Sequence, residues 1–139
     1  MKKSVFRFIV LTVLIVSLVG VSTVFAENSI KGKVVAFIPK VTGNSFFEAA
    51  NAGAQKYAEK WGITVKYMGS ATASVTDQLE VIQQAIDAGV DAIAISSVDA
   101  KALDEKLKEA QEQGIVVVTW DSDVSSDARS LMVSQGTAS

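Results

Sequence analysis

GVDAIAI, residues 89–95, decides the fold. A glycine closes one element, and a short apolar run, Ala92-Ile93-Ala94-Ile95, opens the next with almost nothing between them. Glycine suits the left-handed position just past a helix, and a continuous apolar run of this length reads as a strand covered on both faces. The same construction occurs at GITVKYM, residues 62–68, and at GIVVVTW, residues 114–120. Three helices therefore each end in glycine and run directly into a strand.

The segments before those glycines carry helical spacing. Ser45 starts the first helix, with Glu48 three residues on as a capping box and Phe47, Ala50, Ala54, Tyr57 and Trp61 turned inward. The second runs from Ser74 to Ala88, with Val75, Leu79, Ile82 and Ile86 inward. Asp99 caps the third, which turns Leu103, Leu107 and Ala110 inward. Val34–Ile38 supplies a strand before the first helix, and Leu131–Val133 a short fifth strand. Residues 63–68 alternate apolar and polar, which places that strand near a sheet edge. Alternating strands and helices require right-handed crossovers and a parallel sheet. The expected fold is α/β, a doubly wound parallel sheet of order 2-1-3-4-5 with helices on both faces.

The N-terminus is a different kind of sequence. Lys2, Lys3 and Arg7 form a basic start, Phe8 to Val19 is apolar, and Val24-Phe25-Ala26 closes the stretch with a small-residue cleavage pattern. That layout predicts a secretory signal peptide over residues 1–26, with an uncleaved membrane anchor as the rival reading. The leader holds three of the 13 basic residues and none of the 15 acidic ones, so residues 27–139 carry a net charge of −5. An acidic balance favours neither nucleic acid nor an anionic membrane as partner. The chain has no cysteine and no histidine. Disulfides, a lipid-modified cysteine, thiol nucleophiles, cysteine–histidine zinc sites and the commonest general base are all excluded. No cofactor is expected.

In doubly wound sheets, ligands bind outside the carboxyl ends of the strands. Lys40, Asn44, Phe46 and Phe47 follow the first strand, and GSATAS, residues 69–74, follows the second. Ser96-Ser97 ends the third, Trp120-Asp121-Ser122-Asp123 the fourth, and Ser134-Gln135-Gly136 the fifth. A cation, two carboxylates, amides, hydroxyls and flat aromatic surfaces on one rim suit a small polyhydroxylated molecule. Each residue also has a plainer role: a solvated loop lysine at 40, turn-capping aspartates at 121 and 123, a core aromatic at 47. Gln135 carries little signal alone. Helical spacing puts Phe47 inward and leaves Phe46 to face a ligand. Asp121 follows a fully apolar strand, so its carboxylate must be paired or bound. A nucleotide-type phosphate loop is missing, since VTGNSFF has one glycine and no GxGxxG. Ser96-Ser97 stands where a phospho-receiver domain needs its acceptor aspartate.

These residues resemble a known group. FIPKVTGNSFFEAANAGAQKYAEKWG, QLEVIQQAIDAGVDAIAISS, TWDSD and SQGT together resemble the N-terminal lobe of type I periplasmic solute-binding proteins of ABC importers. IPK…FF with TWDSD and QGT is similar to the autoinducer-2-binding branch, and GNSFFEAANAGAQ to the rhamnose-binding branch. The resemblance implies residues 27–139 as an N-terminal lobe whose second lobe is absent here. It implies extracytoplasmic (periplasmic) capture of a sugar or sugar-like furanose and its delivery to a membrane permease. Lys40 and Asp121 would hydrogen-bond ligand hydroxyls, Phe46 and Phe47 would line the cleft, and Gln135 would lead into the hinge. Asp123 carries over less directly.

Two other functions compete. A sugar-sensing domain of a LacI-type regulator has this fold but needs a helix-turn-helix and a basic face. An exported hydrolase using Asp121 and Asp123 as acid and base would need them on opposite sides of a scissile bond, which two positions on one loop do not offer. A non-enzymatic binding protein is the expectation.

Overall fold

The structure, a computed structural model, describes residues 30–134; residues 1–26, for which a signal peptide is expected, and Gln135 lie outside them. Five strands form one parallel sheet: β1 Val34–Ile38, β2 Thr64–Tyr67, β3 Ala92–Ile95, β4 Val116–Trp120 and β5 Leu131–Val133. Their order is β2-β1-β3-β4-β5, as the alternation predicts. Three helices connect them: α1 Ser45–Trp61, α2 Val75–Asp87 and α3 Asp104–Glu112. Gly62 and Gly89 end their helices at φ 67° and 60°, left-handed values that an L side chain resists.

Register explains the core. Ala36, Ile93 and Val117 are aligned across β1, β3 and β4, and Ile38, Ile95 and Thr119 form the next row on the same face. That face is sealed by Val81, Ile82, Ala85 and Ile86 of α2 and by Leu107 and Ala110 of α3. The opposite face presents Val35, Phe37, Ala94, Val118 and Trp120, with α1 laid along its β2 side. Val116, Leu131 and Val133 stay exposed there while Val118 and Trp120 are half-buried, so this face of β4 is only partly covered, although its apolar run reads as a doubly buried strand.

Three local expectations need correction. Tyr57 and Trp61 are exposed, because α1 buries Phe47 and Ala58 while the two aromatics pack on each other with ring centroids 5.3 Å apart. A four-residue edge strand is too short to cover the end of a 17-residue helix. Asp99 caps a turn ahead of α3 rather than the helix itself: its Oδ1 accepts from Lys101 N and Ala102 N at 2.8 Å, and α3 begins at Asp104. On α2 the buried stripe is rotated, so that Gln78 and Val81 are inside while Val75 and Leu79 are only partly covered. Glu48 does reach back as a capping residue should, but to Gly43 N, with Asn44 as the N-cap.

Candidate ligand-binding site

The sheet order turns at β1 and β3, whose carboxyl ends release Lys40 and Ser96 side by side. This is where an open α/β sheet forms its crevice. Asp121 enters from the adjacent strand, β4. Ser122 N donates to Trp120 O at 2.6 Å across it, and Asp121 itself has φ 61°. That is the positive-φ form of the γ-turn, the rarer and more strained of the two. Asp121 N donating to Val133 O (3.3 Å) and Ser97 N donating to Ser122 O (3.2 Å) hold the turn from both sides. A strained non-glycine residue held this firmly is a mark of a functional position.

The turn aims the carboxylate at the rim. Asp121 Oδ2 accepts from Ser96 Oγ at 2.9 Å and from Ser122 Oγ at 3.4 Å, and lies 3.5 Å from Lys40 Nζ. All three partners converge on one oxygen; among the described residues Oδ1 receives no hydrogen bond. Lys40 is likewise under-used, since 3.5 Å is a loose approach for an ammonium that closes to about 2.8 Å in a good charge-assisted bond. Both groups are only partly exposed.

An aromatic shelf lies beside the pair. Trp120 stacks on Phe37 with centroids 4.6 Å apart and 9° between planes, and meets Phe47 edge-on at 5.7 Å. Phe46 lies 6.5 Å from Trp120 and contacts Phe47 at 5.2 Å. Phe47 is buried and Phe46 is 45% exposed, the division that helical spacing predicts. Trp120 Nε1 is buried without a hydrogen-bond partner among the described residues. Behind Phe37, Tyr67 donates to Glu48 Oε1 at 3.0 Å; burial, with the Glu48 carboxylate added, pushes its hydroxyl up to about 12.

Asp123 points elsewhere. Arg129 Nε and Nη2 donate to its two oxygens at 2.6 and 2.8 Å, and Thr119 Oγ1 adds a third bond at 2.6 Å. The guanidinium holds the Asp123 carboxyl below its ordinary range. With both oxygens committed, Asp123 braces the loop after β4, and of the two acids Asp121 is the one that keeps an oxygen without a hydrogen bond among the described residues. The two acids therefore do not form an acid–base pair. Nothing in the spacing of Asp123 and Arg129 singles the arginine out in advance.

The opposite edge of the sheet behaves differently. A groove of about 650 Å³ opens there, lined largely by apolar residues such as Ile30, Trp61, Val90 and Ile115. Its charged pair is closed: Lys33 Nζ donates to Asp91 Oδ1 at 2.7 Å and Val34 N to Oδ2 at 2.8 Å.

Residues 35–138 match the family described as periplasmic binding protein domain. The chain belongs to that family. A D-ribose/D-allose-binding protein of Pseudomonas aeruginosa is 33% identical over 108 residues, covering 76% of this chain and 34% of that protein. The ribose import binding protein RbsB of Escherichia coli is 27% identical over 107 residues, 77% of this chain and 36% of its own length. Among solved structures, LsrB from Clostridium saccharobutylicum in complex with AI-2 is 55% identical at a TM-score of 0.73, with 75% of this chain and 32% of that one covered. A solute-binding protein from Clostridium phytofermentas with bound L-rhamnose is 33% identical at a TM-score of 0.70, covering 76% and 33%. The chain spans about a third of the length of the curated relatives it matches. Among the described residues no helix is long and apolar enough to cross a membrane.

Proposed function

We propose that this chain is the sugar-binding N-terminal lobe of an extracytoplasmic solute-binding protein, which captures a ligand for an ABC importer and hands it to the membrane permease. The ligand is a monosaccharide or sugar-like furanose of the kind named in the relatives: autoinducer-2, rhamnose or ribose. The signal-peptide reading of residues 1–26 supports an extracytoplasmic location.

One observation carries this reading. A lysine and an aspartate meet loosely at the topological switch point, each with bonding capacity left over, beside a shelf of aromatic rings. A sugar hydroxyl can complete both halves at once, accepting from Lys40 Nζ and donating to Asp121 Oδ1. Its apolar C–H face then lies against Phe46 and Trp120. No bond is made or broken; selectivity comes from charged groups that are left unpaired when the wrong ligand binds.

The test is titration of the 15N-labelled 139-residue chain with D-ribose, L-rhamnose and autoinducer-2, followed by NMR. Saturable shifts centred on Lys40, Phe46 and Asp121 are expected for at least one of them. Saturation that leaves these residues unmoved, or no binding of any of the three, overturns the proposal.

A further inference from the structure

Gln78 is a buried amide, 4% exposed, in the first turn of α2. Its Nε2 donates to Pro39 O at 3.1 Å and to Ser96 O at 2.8 Å, and its Oε1 accepts from Val98 N at 3.0 Å. Both amide hydrogens are used, and the orientation is fixed, because a flipped amide would set its oxygen against two carbonyls. These partners belong to two of the loops that build the rim, those after β1 and β3. Pro39 immediately precedes Lys40, and Ser96 carries the hydroxyl that bonds Asp121.

The sheet itself stops short of these groups. The β1–β3 ladder ends at Ile38 and Ile95, with one further bond from Ser96 N to Ile38 O. Past that point the strands part, and among the described residues Gln78 is the side chain that bonds the backbone of both loops, whereas Asp121 meets only their side chains, Ser96 Oγ and Lys40 Nζ. Asp77, next on the helix, extends the brace to a third loop: it accepts from Ser70 Oγ at 2.7 Å, and Ser70 O accepts from Thr42 N at 2.8 Å.

We propose that Gln78 is a positioning residue for ligand binding, holding the backbone of the Lys40 and Ser96 loops at the separation that leaves Lys40 and Asp121 open to a shared hydroxyl. The inference rests on the sugar-binding reading of the rim. Satisfying buried carbonyls explains an amide at this place, but one amide spanning two loops at the point where they diverge also fixes the distance between the groups they carry.

The experiment compares Gln78→Met and Gln78→Glu with Val81→Ala, a core truncation one turn along the same helix. Each full-length variant is titrated with the tightest of the three sugar probes, and its melting temperature is recorded. Gln78→Met leaves two carbonyls and an N–H unpaired, so affinity falls about 10- to 100-fold, the scale of one or two buried hydrogen bonds. Gln78→Glu keeps the acceptor for Val98 N and loses both donors; it retains slow Val98 amide exchange but shares the affinity loss, and it serves if Gln78→Met does not fold. Val81→Ala loses stability and keeps affinity. Wild-type affinity in both Gln78 variants, or a loss that Val81→Ala matches, overturns the positioning role. If the wild type binds none of the probes, the sugar-binding reading fails by itself. The ligand-free Asp121 carboxyl 13C signal then decides: displacement in the Gln78 variants and not in Val81→Ala upholds positioning, and no displacement ends it.

Discussion

Two lysine–aspartate pairs stand at opposite edges of one sheet. At the amino edge, Lys33 and Asp91 close to 2.7 Å and the second carboxylate oxygen takes Val34 N. At the carboxyl edge, Lys40 and Asp121 stay 3.5 Å apart, with three partners crowded on one oxygen and the other empty among the described residues. The first pair sits on relaxed backbone and ties the start of β1 to the start of β3. The second is presented by a left-handed aspartate that loops on both sides must restrain. The same pair of residue types thus serves as a staple where both carboxylate oxygens are bonded, and, on the proposed reading, as a binding site where the fold withholds partners and accepts strain to do so.

The contrast can be broken most decisively by truncation. In the protein completed by a second lobe, Lys40→Ala or Asp121→Ala should each cost about 2–5 kcal/mol of sugar affinity, because each leaves buried polar partners in the closed cleft unpaired. Lys33→Ala and Asp91→Ala should leave affinity unchanged; equal losses at both edges would erase the distinction. The strain is measured separately by comparing Asp121→Gly with Asp121→Ala. Both lack the carboxylate, but glycine accepts positive φ, so it should be the more stable of the two by about 1–2 kcal/mol in urea unfolding. Equal stabilities would mean the turn is not strained.

A smaller effect concerns the aromatics. Phe46→Ala should weaken sugar binding by about 0.5–1.5 kcal/mol through the lost ring surface, whereas Trp61→Ala, beside the basal groove, should not. The last prediction separates the brace from the rim. Asp123 is depressed in the folded state by Arg129, so its stabilising share is complete above the ordinary carboxylate value of about 3.9. That share is lost as pH falls through the lower, folded value. Arg129→Ala should therefore be less stable than wild type at neutral pH, with the gap closing in acid, while sugar affinity at neutral pH changes little.

Much of this architecture is legible in the chain. Glycine-to-strand junctions at Gly62, Gly89 and Gly114 give the alternation, and the polar alternation of residues 63–68 gives the edge position of β2. The rim pair follows from topology, since anything directly after β1 and β4 must emerge at the same edge. What stayed hidden depends on rotation and on distant partners. Helical spacing allows several faces within one turn of each other, so the rotation of α2 that buries Gln78 is set by packing, and a polar residue in an apolar helix looks solvent-facing. The division of labour between Asp121 and Asp123 was equally invisible, because it depends on Arg129 folding back six residues later. Tyr57 and Trp61 misled because long aromatics at helical spacing read as core, yet the sheet beneath them is too narrow to cover them.

The most direct test of the contrast between the two edges is a pair of NMR observations on one sample. The Lys40 ammonium and Asp121 carboxyl signals are followed alongside those of Lys33 and Asp91 as sugar is added to saturation. Large, saturable movement of the first two with the second two still is the predicted result. Saturation of the protein with the Lys40 and Asp121 signals unmoved would contradict it.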